Sequence, residues 1–195
     1  MLYKKLLALE GIERWNHHPH IRHQSVAAHS FNVTIITYML CGILGEEIFT
    51  YQEAMRQALW HDFSESVTGD VSPLVKRYAQ WDEVDRRAVQ EAGQISTSHR
   101  YDVILPKDKE LIPIVKLADC LDAWMYARNE CNLGNTMGFE DIRDELAGKV
   151  GQLINTIGAT MKGGPIKLHQ AITSLFAHDF CCGRTKKIGL EMSHV

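Results

Sequence analysis

Four side chains of the metal-binding type occur where the spacing of apolar residues predicts the inside of a helical protein. They are His29 in VAAHSFNVTII, the adjacent pair His61 and Asp62 in WHDFSE, and Asp119 in IVKLADCLDAW. Burying an ionised carboxylate is costly unless the group is paired or bound to a cation. Taken singly, His29 and Asp119 are best explained as hydrogen-bonded core residues, with Lys116 as a local partner for Asp119. Taken together with the His-Asp pair, they favour a site where two imidazoles and two carboxylates hold one divalent metal ion.

Two more carboxylates follow the His-Asp pair. Glu65 lies four residues after His61 and three after Asp62, so on a helix it points toward the same side without being forced to bind the metal. Asp70 closes the sequence TGD, which predicts a turn. A metal ion held by nitrogen and oxygen lowers the pKa of its water toward about 7 and polarises a phosphoryl oxygen. The set therefore suits hydrolysis at phosphorus, with manganese, cobalt, zinc, iron and magnesium all compatible because no cysteine takes part.

The loop RWNHHPHIRH, residues 14–23, carries positive charge next to this set. Pro19, Arg14 and Arg22 predict an irregular, electropositive segment that attracts phosphate and repels cations. The guanidinium of Arg14 is a planar fork that matches phosphate oxygens, and Lys76 and Lys116 can add point charges. The histidines of the loop are therefore candidates for lining the substrate entrance, and the metal ligands are expected outside the loop; these histidines are His17, His18, His20 and His23.

The elements that carry these residues are predicted to be helices, so the fold class is all-α. Apolar residues recur at helical spacing almost everywhere, and no segment shows the alternation of a convincing strand. Ser25 and Ser72 are predicted N-caps, the second with Pro73 at the first helical position. One helix is expected to continue through Glu65, with His61 on the same face. The predicted helices cover about residues 2–11, 26–44, 50–65, a short segment from 73, 82–96, 108–130, 139–160 and 165–180.

The composition is ordinary for a soluble globular protein. The 195 residues contain no linker-like stretch, which predicts a single domain over residues 1–185 and a loosely ordered tail, 186–195. A formal charge of −3 without a basic stripe argues against a polymeric nucleic acid as partner. Five cysteines without a CxxC pair, no signal peptide and no stretch approaching 18 apolar residues predict a cytoplasmic protein that does not span a membrane.

The order of these motifs resembles a known superfamily. Arg14-Trp15, His29-Ser30, HDFSESVTGDVSPLVK and VKLAD follow one another within roughly residues 10–125. In this order they resemble the HD-domain phosphohydrolases, and most closely the bacterial HD-domain 5′-deoxynucleotidases and small single-domain, including viral, deoxynucleotide phosphohydrolases. The resemblance implies a compact single-domain helical bundle that assembles as a homodimer or a higher homo-oligomer.

The resemblance also implies roles for individual residues. Glu65 and Asp70 are expected to position or activate the attacking water. Arg14 and Trp15 are expected to line the pocket against phosphate and sugar, and Lys76 and Lys116 to add substrate contacts. One divalent metal ion is expected to be held by His29, His61, Asp62 and Asp119.

Two departures from the family pattern affect the pocket wall. Ala28 stands where family members often have an acidic residue before the first metal histidine, and the loop NHHPH replaces mainly apolar or neutral residues. Neither change removes an expected ligand or catalytic carboxylate. Preference for the base and for the length of the phosphate chain is therefore the least transferable property.

Three functions compete at this point. The first is release of phosphate from deoxyribonucleoside 5′-monophosphates, and the alternative is cleavage of a deoxynucleoside triphosphate, for example dATP, at the α-phosphorus. Both take a small deoxynucleotide as partner. A non-catalytic nucleotide or metal sensor is a weaker alternative, because it predicts loss of an acid and both Glu65 and Asp70 are present.

Overall fold

The structure is a computed structural model, and it describes residues 2–45, 48–93, 112–160 and 164–176. Within these ranges the chain forms helices and no β-strand, apart from one isolated bridge between Glu13 and Ser25. The all-α prediction is confirmed. In chain order the helices are α1 Leu2–Gly11, α2 Val26–Leu44, α3 Ile48–Trp60, α4 Glu65–Thr68, α5 Pro73–Tyr78, α6 Trp81–Gly93, α7 Ile112–Asn132, α8 Phe139–Gly158 and α9 Gly164–Phe176.

The core lies between α2 and α7. α3 packs against α2 and α7, α8 packs against α7, and α9 packs against α8. Leu40 from α2, with Leu117 and Trp124 from α7, belongs to this core and is almost fully buried. Each large apolar side chain buried in this way contributes about 1.5–3 kcal/mol. The same packing of α2 on α7 sets His29 opposite Asp119.

Local sequence signals explain where several helices begin. The Ser25 hydroxyl accepts the backbone N–H of Ala28 at 3.2 Å and caps α2. The Ser72 hydroxyl caps α5 in the same way, and Pro73 occupies its first turn. Both predicted caps are confirmed, because each hydroxyl satisfies a backbone donor that the helix itself leaves free.

The prediction of one continuous helix through Glu65 is wrong. α3 ends at Trp60, and α4 begins separately at Glu65. His61 Nδ1 donates to the carbonyl oxygen of Ala58 at 2.7 Å, which satisfies one of the carbonyls exposed at the end of α3. Turn hydrogen bonds such as Glu65 N–H to Asp62 O, at 3.0 Å, then reverse the chain. His61 and Glu65 therefore do not share a helical face.

α2 departs from the expectation that no segment is suited to span a membrane. It is the one helix in the described ranges that is long and apolar enough to do so. Nevertheless, it buries the polar residues His29, Ser30 and Thr37 against its neighbours. Burial of polar side chains against neighbouring helices is typical of a helix in the core of a globular protein.

Other predicted segments agree in part. The helix predicted over 82–96 is observed from Trp81 to Gly93, and the helix predicted over 108–130 is observed from Ile112 to Asn132. The last helix is observed up to Phe176. Residues 94–111, 177–180 and the predicted tail, 186–195, lie outside the described residues, so the predicted division at residue 185 stays a prediction.

Candidate metal centre and active site

The structure brings the four expected metal ligands to one point, and we call them the helical cluster: His29 from α2, His61 and Asp62 from the turn after α3, and Asp119 from α7. His29 Nε2 lies 3.2 Å from His61 Nε2, 3.5 Å from Asp62 Oδ2 and 3.3 Å from Asp119 Oδ1. His61 Nε2 also lies 3.2 Å from Asp62 Oδ2. These separations suit donors that share one ion.

The hydrogen bonds of the two histidines determine which of their ring nitrogens can face a cation. His29 Nδ1 donates to Asp122 Oδ2 at 2.6 Å, and His61 Nδ1 donates to the carbonyl oxygen of Ala58. The two Nε2 atoms are then left as acceptors that face each other. When both rings are neutral, two lone pairs at this distance repel unless an electropositive centre, either a proton or a metal ion, lies between them. The donor set therefore fits a cation, as expected for a metal-bound histidine whose other nitrogen is hydrogen-bonded.

The four side chains of the helical cluster differ in their exposure to solvent. His29 has no exposed side-chain surface, whereas the side chains of the other three keep 16–19% of theirs exposed. The two carboxylates and His61 are therefore partly open to solvent, whereas His29 is not.

Charge interactions keep the cluster anionic. Burial opposes ionisation of Asp62, but the charge and hydrogen bond of His61 hold the pKa of Asp62 below its usual range. Burial likewise opposes ionisation of Asp119, and the contact with His29 and the charge of Lys116 lower the pKa of Asp119. Burial also opposes protonation of His61, yet the neighbouring carboxylates raise the pKa of His61 to about 9. A divalent cation would replace this proton at the point where the donors meet.

Asp122 is a supporting residue that the sequence analysis missed. It is 3% exposed, and its Oδ2 accepts hydrogen bonds from His29 Nδ1 and from Gln24 Nε2, the latter at 2.9 Å. Its Oδ1 accepts from Asn32 Nδ2 at 2.9 Å. The available signal was the spacing of Asp119 and Asp122, which places two carboxylates three residues apart on one helix. Asp122 fixes the orientation of the His29 ring.

Glu65 lies beside the helical cluster and is almost fully buried. Its Oε1 accepts a hydrogen bond from Lys76 Nζ at 3.1 Å, while its Oε2 is buried without a hydrogen-bond partner in the described ranges. Burial and the charges of Asp62 and Asp70 raise the pKa of Glu65 to about 8, although Lys76 opposes this. A proton on Oε2 is compatible with the Lys76 contact at Oε1. Oε2 of Glu65 is therefore available to form a hydrogen bond with a water or with a substrate oxygen.

Asp70 joins the turn after α4 to the loop that begins at Arg14. Its Oδ2 accepts the backbone N–H of Trp15 at 3.1 Å, and its backbone oxygen accepts from Asn16 Nδ2. Trp15 has a φ of 65°, a backbone conformation that is rare outside glycine. The Asp70 contact stabilises that conformation, so the structure shows Asp70 as an anchor of the pocket wall.

The Trp15 ring packs against other aromatic side chains of the protein. Its ring stacks on Tyr126 with centroids 5.1 Å apart and an interplanar angle of 5°, and it meets Phe139 at a tilt. One ring face is therefore covered, and a contact with substrate is restricted to the remaining surface. The Arg14 guanidinium lies 5.8 Å from the Trp15 ring centroid. Its Nη1 is buried and forms no hydrogen bond among the described residues, but it lies 3.8 Å from Asp122 Oδ2, with which it forms an ion pair.

Lys116 contacts a carboxylate of the helical cluster. Its Nζ donates to Asp119 Oδ2 at 2.8 Å, and the charge of Asp119 raises the pKa of Lys116. Asp119 thus has the local partner that the sequence suggested, Lys116, at one oxygen, while His29 lies near the other. The predicted substrate contacts of Lys116 and Lys76 stay predictions.

A second group of metal-binding side chains occurs in the histidine-rich loop, and we call it the loop cluster: Glu13, His20 and His23. His20 Nε2 lies 2.8 Å from Glu13 Oε1, and His23 Nδ1 contacts the same oxygen. The expectation of a loop that repels cations overlooked Glu13, the residue directly before Arg14. The other two histidines differ, since His18 packs against Phe139 and His17 is exposed.

Comparison with known proteins identifies relatives of this arrangement. A family model described as 5′-deoxynucleotidase YfbR-like matches residues 1–161. The 5′-deoxynucleotidase YfbR of Salmonella typhi is 27% identical over 147 residues, which cover 68% of this chain and 74% of the relative. The corresponding protein of Salmonella paratyphi B is 26% identical over the same length.

Solved structures share the fold. An HD-domain phosphohydrolase from Listeria innocua superposes with a TM-score of 0.71 at 20% identity, covering 91% of this chain and 89% of that one. The HD phosphohydrolase DatZ of cyanophage S-2L, solved with dA and one catalytic Zn²⁺ ion, superposes with a TM-score of 0.67 at 19% identity, covering 91% and 95%. The expected helical HD-domain bundle is confirmed.

Proposed function

The chain belongs to the 5′-deoxynucleotidase YfbR-like family of HD-domain hydrolases, and from this premise we propose that it hydrolyses deoxyribonucleoside 5′-monophosphates. In that reaction a water oxygen bonds to phosphorus, the bond between phosphorus and the 5′ oxygen breaks, and deoxynucleoside and orthophosphate leave. The curated relatives named 5′-deoxynucleotidase YfbR support this substrate class.

The convergence of four donor side chains in the helical cluster carries the proposal. Two acceptor nitrogens and two carboxylates lie within 3.2–3.5 Å of one another along the measured pairs. A bound divalent ion supplies Lewis-acid chemistry there, because it makes water more acidic and polarises a phosphoryl oxygen. Zinc is a suitable ion for this nitrogen and oxygen set, and zinc is the ion described in the DatZ structure.

The surrounding residues supply positioning and proton transfer. Glu65 presents Oε2 to the attacking water, and with a pKa of about 8 its carboxyl group can accept and return a proton near neutral pH. Lys76 holds the other oxygen of Glu65 in place. The Arg14 guanidinium, which the ion pair from Nη1 to Asp122 holds beside the helical cluster, contacts the phosphate, while Asp70 holds the backbone of Trp15 at the pocket wall.

The deciding experiment separates the products. Protein stripped with a chelator and reloaded with zinc, manganese or cobalt is incubated with dAMP and with dATP, and orthophosphate, pyrophosphate and triphosphate are resolved. We expect orthophosphate from dAMP, lost on chelation and restored by metal. Triphosphate from dATP with dAMP untouched would instead establish the triphosphohydrolase alternative. Inactivity of the wild-type protein and of Asp62→Ala alike, with every metal, would favour the sensor.

We propose further that the protein works in the cytoplasm as a homo-oligomer on small deoxynucleotides. Cys41, Cys120 and Cys131 form no disulfide bond within the part of the chain that the structure describes, which suits a reducing compartment. The outer side of α2 exposes Phe31, Tyr38 and other apolar side chains that a second copy of the chain can cover. Sedimentation velocity tests this, since a monomer at all concentrations would contradict it.

A further inference from the structure

We propose that the loop cluster, Glu13, His20 and His23, is a second metal site, independent of the helical cluster, for a transition-metal ion such as Zn²⁺. One carboxylate oxygen and two imidazole nitrogens lie together at the surface. Two histidines and one glutamate are a ligand set that zinc uses, with the fourth position left to water. The site would therefore hold an ion with an open coordination position.

The backbone of the loop is held in the conformation that this site needs. Arg14 N–H donates to Gln24 O at 2.9 Å, across the bridge that joins Glu13 to Ser25. The backbone N–H groups of residues 21 and 22 donate to the carboxylate of Glu130 at 2.8 and 2.9 Å, and Glu130 is fully buried. Glu13 on the outgoing segment is thereby fixed opposite the two histidines on the returning segment.

Hydrogen bonding of His20 prepares it as a ligand. His20 Nδ1 donates to the carbonyl oxygen of His18 at 2.8 Å, so that Nε2 becomes the acceptor and points at Glu13 Oε1, 2.8 Å away. Metal-bound histidines commonly show this bond from the second nitrogen to a backbone carbonyl.

Small adjustments suffice to admit an ion. Donors that share one tetrahedral zinc ion at bond lengths near 2.0–2.1 Å lie about 3.3 Å apart. The side chain of His23 is 83% exposed, so its ring can move outward without disturbing packed neighbours. Glu13, with 38% of its side chain exposed, has the same freedom. Zinc bound by three such side chains is compatible with the observed backbone.

The alternative to a metal ion in the loop cluster is a proton shared by its side chains. A protonated His20 paired with ionised Glu13 would hold the loop together without any metal, and the hydrogen bonds of both histidines lower the pKa of Glu13. The two possibilities differ in metal content and not in backbone geometry. Counting bound ions therefore separates them.

The test counts zinc ions in the full chain. Protein stripped with a chelator is dialysed against Zn²⁺, and bound metal per chain is measured by mass spectrometry. We expect two ions in the wild type, one in Glu13→Gln or His23→Ala, one in Asp119→Asn, and none in the double variant Asp119→Asn with His23→Ala. His17→Ala, which removes an exposed histidine of the same loop, is the matched control and should retain two.

The outcomes have distinct meanings. One ion in the wild type that His23→Ala leaves in place would overturn the loop site and leave the proton as its occupant. Loss of an ion in His17→Ala as well would show diffuse binding by the histidine-rich loop and would also overturn it. One ion that is lost in His23→Ala but kept in Asp119→Asn would support the loop site and count against metal binding by the helical cluster.

Cobalt gives a spectroscopic check of the same assignment. In the Asp119→Asn background, added Co²⁺ should produce visible absorption bands from the loop site alone. His23→Ala in that background should abolish the bands, and His17→Ala should leave them unchanged. Bands that survive His23→Ala would contradict the proposed ligands.

Discussion

The helical cluster and the loop cluster use the same kinds of side chain in opposite settings. The first draws its residues from α2, the turn after α3, and α7, around a fully buried His29. The second draws them from eleven consecutive positions of one loop and leaves His23 mostly exposed. Both histidines of the helical cluster are oriented by a second hydrogen bond, to Asp122 and Ala58.

The comparison shows how burial changes what a set of ligands can do. In the helical cluster, close carboxylates raise the pKa of His61 to about 9 in spite of its burial, so a proton and a metal ion compete strongly for the same place. In the loop cluster, water screens the charges, and Glu13 and His23 can reorient at small cost. We therefore expect the helical cluster to control the reaction and the loop cluster to modulate it.

The largest effect is expected from Asp62→Asn, which removes a charged donor of the helical cluster. Loss of the metal should lower kcat/KM by about 10⁴-fold or more, because the Lewis-acid contribution disappears. Steady-state assays with dAMP measure this, with circular dichroism as a check on folding. Retention of more than a tenth of the activity by a folded variant would remove Asp62 from the metal centre.

Glu65→Gln separates proton transfer from metal binding. The amide keeps the shape of the side chain but cannot accept a proton, so we expect kcat to fall by about 10²–10³-fold. Zinc content should stay at the wild-type value, which distinguishes this variant from Asp62→Asn. Full activity in Glu65→Gln would contradict the proposed role.

Asp122→Asn tests the buried carboxylate that orients His29, a kind of support that the loop cluster lacks. An amide can present its NH₂ group to His29 and reverse the donor and acceptor nitrogens of the ring, so zinc affinity of the helical cluster should fall about 10–100-fold. Competition with a fluorescent chelator measures the affinity. Asn32→Ala, which removes a partner from the other oxygen of Asp122, is the control and should have a smaller effect.

The buried carboxyl of Glu65 also predicts a pH dependence of stability in metal-free protein. Its pKa is raised to about 8 in the folded state and is about 4.3 in the unfolded chain. The contribution of the Glu65 carboxyl group to the free energy of unfolding is therefore fully present below about pH 4.3 and is lost as the pH rises through about 8.

Glu65→Gln cannot ionise, so the variant should gain stability relative to the wild type as the pH rises from 5 to 8.5. The gain should be about 3–4 kcal/mol, and urea unfolding at several pH values measures it. A constant difference across this range would show that Glu65 is ionised in the folded protein.

The smallest effect is expected from His23→Ala in the loop cluster. Glu13 directly precedes Arg14, so loss of an ion from the loop should loosen the phosphate contact and raise KM for dAMP by about 2–5-fold while kcat stays the same. His17→Ala, which removes an exposed histidine outside the loop cluster, should raise KM less than His23→Ala does. A fall in kcat comparable to that of Glu65→Gln would remove the proposed difference between the two clusters.

Local patterns predicted most of the fold. The caps of α2 and α5 and the extent of most helices followed from residue types and from apolar spacing, because both act over a few neighbouring positions. The end of α3 at Trp60 did not follow, since the apolar spacing continues beyond it. That end depends on the hydrogen bond from His61 to Ala58 and on the turn that follows.

The sequence by itself determined the residues of the helical cluster, because a histidine and an aspartate on apolar helix faces require a partner. Only the tertiary structure revealed the support from Asp122, which lies 93 residues from His29 along the chain, and the approach of Glu13 to two loop histidines. Such contacts arise where α2 packs on α7 and where Glu130 holds the loop. The periodicity of apolar residues indicates which face of a helix is buried. Which residues that face contacts depends on how the helices pack.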